Sequence, residues 1–253
     1  MPVPAISPIE ASLIEVFSSI QGEGVLIGCR QVFVRFADCN LDCAYCDTPF
    51  HAGTEFSLET SPGSGRYRQV ANPADLSDLE RVLAEWQTRY PGLHHSLCLT
   101  GGEPLLHADI LARWLPQLSA DWPIYLETNG TLPNELVKVL PWTRWISMDL
   151  KSDATTGQAT DWAAHADFIK VGGKKICQIK LVVGEQTSLA HVRQAAEFVA
   201  AQGVAAPLIL QPCMAKGKMT INGTTLLELQ ATAAEVYPDT RLIPQVHPLL
   251  QIS

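Results

Sequence analysis

Five short runs of β-type residues alternate with longer helical patterns after residue 75 of the chain. Such alternation is typical of parallel sheets, because each helix carries the chain back to the start of the next strand. The sequence therefore predicts an α/β fold, either an open parallel sheet or a partial barrel. Ligands bind at the carboxyl ends of the strands in both architectures, so unusual residues there are candidates for chemistry. The five predicted strands are SLCLT (96–100), IYLET (124–128), WISMDL (145–150), CQIKLVV (177–183) and PLILQ (207–211).

Helices are predicted in the gaps between these strands. The first has the spacing of a capping box, formed by Ser77 and Glu80 ahead of an apolar stripe. The other predicted helices follow His107, open at Pro133, run from Ser188 to Ala201, and span Leu226 to Val236.

The part of the chain before residue 75 is organised differently. Two strands are predicted there, at Leu13–Phe17 and Gln31–Ala37. The segment 51–73 is rich in Gly, Ser and Pro, and we interpret it as a long surface loop or insertion. No internal repeat divides the sequence, so residues 1–253 are expected to form a single domain.

The charge and composition favour a small-molecule ligand. The chain of 253 residues has 18 Lys and Arg against 26 Asp and Glu, a formal net charge of −8. This balance repels phosphate groups, so neither a nucleic acid nor an anionic membrane is expected as a partner. The 47% of apolar residues is enough for a core and excludes disorder as the dominant state. The first residues have no pattern of a signal peptide, and we expect a cytoplasmic protein.

Three of the seven cysteines are crowded into eight residues, at Cys39, Cys43 and Cys46. They lie just beyond the predicted strand that contains Arg35, so their thiolates share one tight loop. The spacing suits a metal centre, and two centres remain open on spacing alone. One is tetrahedral zinc with a fourth ligand such as His51, and the other is a [4Fe–4S] cluster.

A second motif, Thr100-Gly-Gly-Glu-Pro104, directly follows the predicted strand SLCLT. Two consecutive glycines at a strand end let backbone amides approach a ligand closely. The Glu103 carboxylate is expected to receive an ammonium group. Together, CxxxCxxC and GGEP resemble the radical S-adenosylmethionine superfamily, whose members hold a [4Fe–4S] cluster with three cysteines and bind S-adenosylmethionine at the open iron.

Three further stretches narrow the resemblance to the 7-carboxy-7-deazaguanine synthase family. They are FSSIQGEG (17–24), FVRF (33–36) and CDT (46–48), in this order. The resemblance implies a partial, modified (β/α)6 barrel and a radical lyase. The implied reaction converts 6-carboxy-5,6,7,8-tetrahydropterin into 7-carboxy-7-deazaguanine with loss of ammonia, in 7-deazapurine and queuosine biosynthesis. It also implies Mg²⁺, an electron donor such as flavodoxin or ferredoxin, and a homodimer.

The resemblance also implies roles for individual residues. It implies that an adenosyl radical, rather than a side-chain acid or base, carries out the reaction. Thr48 is implied as the Mg²⁺ ligand. Many relatives have Ser-Pro-Lys at 149–151 and an acidic residue at 214. This chain departs from that pattern, so the resemblance implies the roles at these positions less directly than at positions where the residues match. The implied substrate-binding residues are Ile20, Gln21, Gly22, Glu23, Arg35, Thr100, Glu127, His247 and Ser253. The implied cofactor-binding residues are Tyr45, Cys46, Asp47, Gly102, Glu103, Asp149, Leu150, Lys151, Gln211, Pro212, Cys213 and Met214.

Two other functions are compatible with part of the pattern. A glycyl-radical activating enzyme shares CxxxCxxC and a GGEP-like turn but acts on a protein partner, and it has no need of the Gln-Gly-Glu loop. A binding module with a structural zinc site would use the cysteines as zinc ligands that stabilise the fold, and it would carry out no catalysis.

Overall fold

The computed structural model of the chain describes residues 10–46, 51–215 and 218–252. Strands and helices in these ranges are numbered here in chain order. The strands are β1 (Glu10–Ala11), β2 (Leu13–Ile20), β3 (Arg30–Phe36), β4 (Glu55–Glu59), β5 (Tyr67–Ala71), β6 (Ala74–Asp75), β7 (Ser96–Gly101), β8 (Ile124–Thr128), β9 (Thr143–Asp149), β10 (Ile176–Val183), β11 (Leu208–Pro212), β12 (Met214–Ala215), β13 (Lys218–Met219) and β14 (Thr240–Leu242). The helices are α1 (Leu76–Arg89), α2 (Ala108–Asp121), α3 (Pro133–Val139), α4 (Asp153–Thr156), α5 (Trp162–Gly172), α6 (Leu189–Ala201), α7 (Gly223–Ala234) and α8 (His247–Leu250).

Ten of the strands form one sheet in the order β14-β11-β10-β9-β8-β7-β3-β2-β4-β5. The seven strands from β14 to β3 are all parallel, and each pairs with the strand that precedes or follows it among them in the chain. This order is that of a (β/α) barrel rather than of a doubly wound sheet. Within the described residues the edge strands β14 and β5 do not pair with each other, so the barrel is partial, as the sequence predicts.

The segment 51–73 is not the surface loop that we predict from its composition. It contains the antiparallel hairpin β4–β5, and β4 pairs in parallel with β2, which extends the sheet by two strands. Phe56 and Leu58 of β4 alternate with polar residues and are buried. The alternation is short and lies between Gly, Ser and Pro residues, and for this reason the composition hides it.

The strands and helices that carry the strongest patterns lie close to their predicted places. β8 coincides with the predicted IYLET, and α2 begins directly after His107. Trp114 of α2 and Trp86 of α1 are fully buried against the sheet, as their apolar stripes predict. The helix α5 was not predicted, because its buried face includes His165 and Gly172, which interrupt the apolar spacing.

The cap of α1 differs from the prediction. Asp75, not Ser77, is the N-cap residue, and its side chain accepts a hydrogen bond from the backbone N–H of Asp78 at 2.9 Å. The Ser77 hydroxyl donates to the same carboxylate, at 2.7 Å. The capping box of Ser77 and Glu80 is therefore wrong, since the strand pairing of β6 with β1 continues to Asp75 and fixes the start of the helix there.

No described helix is both long enough and apolar enough to cross a membrane.

The corrected cap predicts different effects for two neighbouring substitutions. Asp75→Ala removes the acceptor for an N-terminal backbone N–H and should lower the free energy of unfolding by about 1 kcal/mol. Ser77→Ala leaves that acceptor in place and should cost clearly less. Urea denaturation of both variants measures the two values, and an equal or larger loss for Ser77→Ala would contradict the assignment.

Candidate active site

The three clustered cysteines follow β3 and line one cavity, which lies at the carboxyl ends of the parallel strands. The Cys46 N–H donates to the Cys43 carbonyl at 2.9 Å, so the loop closes in a turn. The Asn129 amide nitrogen lies 3.9 Å from the Cys39 sulfur. Burial raises the pKa of both Cys39 and Cys43 above that of a free thiol.

The donor set of this cavity fits an iron–sulfur cluster better than tetrahedral zinc. Three thiols of one loop face the cavity, and His51, the suggested fourth zinc ligand, is exposed and does not line it. Within the described ranges, no three His, Cys, Asp or Glu side chains are already close enough to hold a single metal ion. In a [4Fe–4S] cluster each cysteine binds a different iron, so the three sulfurs need not lie close to one common metal atom.

The glycine turn after β7 packs directly against the start of the cysteine loop. The Gly102 N–H donates to the Phe36 carbonyl at 3.1 Å, and the Glu103 N–H donates to the Asp38 carbonyl at 2.8 Å. A Cβ on Gly102 would overlap the Asp38 carbonyl oxygen. Gly101 has a φ of +123°, which side chains rarely adopt, and a Cβ there would overlap the Phe36 backbone. The two glycines are thus required for backbone contact with the cysteine loop.

The Glu103 side chain does not reach the cavity. It is fully buried and accepts hydrogen bonds from the Leu105 N–H, the Thr128 hydroxyl and the Asn129 N–H, at 3.0, 2.8 and 2.7 Å. Burial raises its pKa to about 7, against the opposing effect of these donors. This placement contradicts the prediction that the carboxylate receives an ammonium group. Instead, Glu103 ties the glycine turn to the end of β8.

Most of the predicted cofactor residues that the structure describes line the first cavity. Lys151 donates to the Tyr45 hydroxyl at 2.9 Å and to the Asp149 carboxylate at 2.8 Å. Leu150 is an exception, since its side chain is buried in the core and does not line the cavity. The predicted cofactor residues on the cavity wall are Tyr45, Cys46, Gly102, Asp149, Lys151, Gln211, Pro212, Cys213 and Met214.

A second cavity adjoins the first. All of the predicted substrate residues that the structure describes line it. They are Ile20, Gln21, Gly22, Glu23, Arg35, Thr100, Glu127 and His247. The two cavities also have wall residues in common, and these are Glu23, Arg35, Thr100, Glu127 and Gln245. The two cavities are therefore adjacent, and the same side chains would face a ligand in either one.

Glu127 is held in the second cavity by uncharged donors. It accepts hydrogen bonds from the Thr100 hydroxyl at 2.7 Å and from the Gln21 side chain at 2.8 Å. The same Gln21 nitrogen donates to Gln31 at 3.1 Å, and the Gln21 oxygen accepts from the Glu23 N–H. Burial and the nearby Glu23 carboxylate raise the pKa of Glu127.

Arg35 reaches the second cavity from the middle of the sheet. Its Nε lies 2.7 Å from the Glu15 carboxylate, and both side chains are partly exposed. The guanidinium also lies 5.6 Å from the centroid of the Phe17 ring. Because only Nε is used in the ion pair, the terminal nitrogens of the planar fork remain available to another carboxylate.

Two polar residues that contact the Glu23 carboxylate of the site, Lys180 and Gln245, were not predicted from the sequence. Lys180 of β10 lines the first cavity and forms ion pairs with Glu23 and with Asp149, the latter at 3.1 Å. Gln245 lines both cavities and donates to Glu23 at 2.6 Å. A lysine in the otherwise apolar run CQIKLVV is the signal that could have identified Lys180.

Opposite charges keep two partly buried carboxylates of the site ionised. Burial alone would raise the pKa of Glu23. The positive charge of Lys180 and the hydrogen bond from Gln245 both lower it, and together they hold this pKa below its usual range. Burial would likewise raise the pKa of Asp149, but Lys151 and Lys180 lower it.

The predictions for Asp47, Thr48 and Ser253 fall outside the described residues.

Comparison with known proteins identifies relatives over most of the chain. The model of the Radical SAM superfamily matches residues 34–183. The 7-carboxy-7-deazaguanine synthase of Geobacter sulfurreducens is 43% identical over 241 residues, which cover 94% of this chain and 96% of the relative. The chain belongs to the 7-carboxy-7-deazaguanine synthase family. The family member of Methanothermobacter thermautotrophicus is 33% identical over 94% of this chain and 96% of its own length.

Solved structures show the same fold as the synthase family member described here. The crystal structure of QueE from Escherichia coli superposes with a TM-score of 0.61 at 22% identity, over 94% of this chain and 95% of that one. The structure of TYW1 with a lysine-pyruvate adduct bound has a TM-score of 0.51 at 12% identity, and the match covers 82% of this chain and 73% of that one.

The close contact of the glycine turn predicts an effect on the cysteine loop. Gly102→Ala should push the Asp38 backbone away and reduce the iron retained after anaerobic reconstitution several-fold, together with a lower melting temperature. Gly223→Ala is a matched control, because no atom lies near a Cβ at that position. Iron analysis and thermal unfolding measure both variants, and iron retention equal to that of the wild type in Gly102→Ala would contradict the role of the contact.

Proposed function

We propose that this chain converts 6-carboxy-5,6,7,8-tetrahydropterin into 7-carboxy-7-deazaguanine with loss of ammonia. The observation that carries the proposal is the pair of adjoining cavities. One is lined by the three cysteines and the other by Gln21, while Glu127 and Arg35 line both, which supports the proposal that the two ligands would lie side by side.

The first cavity has the side chains that the cofactors need. Cys39, Cys43 and Cys46 would hold the [4Fe–4S] cluster, which with S-adenosylmethionine supplies one-electron cleavage to a 5′-deoxyadenosyl radical. Gly102 would present its backbone to the methionyl group, and Lys151 would offer an ammonium donor. The strand end 211–214 would pass beside the adenine. The enclosed walls would exclude water from the reactive species.

The second cavity has the donors and acceptors that a carboxylated pterin requires. Arg35 would bind the substrate carboxylate through its free fork nitrogens. The ionised Glu23 would accept N–H groups of the pterin ring, and Glu127, held by Thr100 and Gln21, would contact the same edge. His247 would close the pocket from the C-terminal segment, because it lies against Gly22. These groups position the ring for hydrogen abstraction at C6.

Three finer features belong to the same proposal. Mg²⁺ would bind to Thr48 and to substrate oxygens, as a hard cation that prefers oxygen ligands. A small redox protein such as flavodoxin or ferredoxin would donate the electron. Two copies of the chain would form a homodimer.

A glycyl-radical activating enzyme is supported less well. Such an enzyme needs an open groove for a protein segment, whereas here the Val246 N–H donates to the Gly22 carbonyl at 2.9 Å and brings the C-terminal segment across the second cavity.

Anaerobic reconstitution tests the function directly. The reduced wild type with S-adenosylmethionine should consume 6-carboxytetrahydropterin and release ammonia and 7-carboxy-7-deazaguanine, which chromatography quantifies. Cys43→Ala should lose cluster assembly and turnover, because two thiolates cannot hold the cluster. Cys29→Ala is the control, since Cys29 does not line the cavity. Turnover by Cys43→Ala would contradict the ligand assignment, and a wild type that leaves the pterin intact would contradict the function.

The proposed Mg²⁺ ligand predicts a separate effect. Thr48→Ala should raise the Mg²⁺ concentration required for half-maximal turnover several-fold, because one oxygen ligand is lost, while the affinity for S-adenosylmethionine stays the same. Turnover measured against Mg²⁺ concentration gives the first value and calorimetry the second. An unchanged Mg²⁺ dependence would remove Thr48 from the site.

A further inference from the structure

Lys180 is a charged residue in a strand that is otherwise buried and largely apolar. It lies near the middle of β10, and only 9% of its surface is exposed. A buried ammonium group is costly unless it is paired with carboxylates. Lys180 has two such partners, Glu23 from the loop after β2 and Asp149 from the end of β9, and all three line the first cavity.

The two carboxylates depend on Lys180 to different degrees. Asp149 has a second cation, because Lys151 lies 2.8 Å from its other oxygen. Glu23 has no other cationic partner among its described contacts, and its second oxygen accepts only from the neutral amide of Gln245. Loss of the Lys180 charge would therefore leave Asp149 paired and Glu23 buried without a cation.

We propose that Lys180 is the positioning residue for substrate recognition, acting through Glu23: it keeps the Glu23 carboxylate ionised and directed into the second cavity. The inference rests on the proposed function, in which Glu23 accepts N–H groups of the pterin. Lys180 need not touch the substrate, and its contribution to the binding of S-adenosylmethionine is small because Lys151 remains beside Asp149.

The charges around Glu23 determine what happens when Lys180 is neutralised. Asp149 raises the pKa of Glu23 in the same direction as burial, and Glu23 in turn raises the pKa of Glu127, the other carboxylate on the common wall. Other charged or titratable groups of the two cavity walls are Arg35, Lys151, Tyr45, His247 and the cysteine thiols. Without Lys180, burial and Asp149 raise the pKa of Glu23, and it binds a proton as the pH falls.

The test measures the binding of two ligands to the reconstituted enzyme without reductant, so that no turnover occurs. Lys180→Met should weaken the binding of 6-carboxytetrahydropterin by about thirtyfold or more, the range for truncating one partner of a buried charge pair. The dissociation constant of S-adenosylmethionine should change by less than about threefold. Lys180→Arg, which keeps the charge, should recover part of the pterin affinity. Lys170→Met is the control, since Lys170 is exposed on α5.

The pH profile separates a charge effect from a packing effect. In the wild type Glu23 stays ionised, so pterin affinity should not depend on it near neutral pH. In Lys180→Met the affinity should rise with pH as Glu23 loses its proton. A variant whose affinity relative to the wild type is constant across pH would contradict the proposal.

A double-mutant cycle shows whether Lys180 acts through Glu23. In the Glu23→Gln background, Lys180→Met should have little further effect on pterin binding, because the carboxylate it serves is absent. The double variant also removes both charges together, so it can fold even where Lys180→Met alone does not. Additive losses in the cycle, or an equal loss of S-adenosylmethionine binding, would overturn the proposal.

Wild-type turnover distinguishes this inference from the function on which it rests. If the wild type does not consume the pterin, the proposed function fails and the inference falls with it. If the wild type consumes the pterin and Lys180→Met binds it equally well, the inference alone is wrong.

Discussion

The site depends on a backbone contact between two loops, the glycine turn after β7 and the start of the cysteine loop after β3. The two strands are neighbours in the sheet, and their ends are joined by hydrogen bonds from Gly102 to Phe36 and from Glu103 to Asp38. The contact is possible because Gly101 and Gly102 have no side chains. It places the three cysteines above the end of the sheet, where residues from the other parallel strands can face them.

Buried charge is the second constraint on the site. Lys151 and Lys180 balance Asp149 and Glu23 in a region that water does not screen well. The ion pairs connect β10 with β9 and with the loop after β2, and they hold Asp149 on the wall of the first cavity and Glu23 on the wall that the two cavities have in common. Glu127 has no direct ion pair among the described contacts and is held by neutral donors, so the carboxylates of one small site are expected to differ in proton affinity.

Much of the fold could be predicted because its signals are local. The run IYLET predicts β8, and the cysteine and glycine motifs predict that strand ends carry the site. The parallel order then brings residues as distant as Gln21 and Glu127 into one cavity. The hairpin β4–β5 was missed because its stability comes from pairing with β2, a partner that no local pattern specifies.

The errors within the site have the same origin. Glu103 is part of the motif, yet the orientation of its side chain is set by Thr128 and Asn129 at the end of the next strand. Lys180 lies outside every motif, and its function depends on two carboxylates from other parts of the chain. Motifs identify which loops form a site, whereas the direction of a side chain depends on contacts between strands that are distant in sequence.

The central claim is that a ligand in the first cavity reacts directly with a ligand in the second. Transfer of a hydrogen isotope tests this claim most directly. With 6-carboxytetrahydropterin deuterated at C6, mass spectrometry of a single-turnover reaction should find deuterium at the 5′ carbon of the adenosyl group, either in 5′-deoxyadenosine or in S-adenosylmethionine re-formed at the end of the redox-neutral reaction. If the pterin is consumed and neither compound contains deuterium, the two ligands do not react with each other, and the account is wrong.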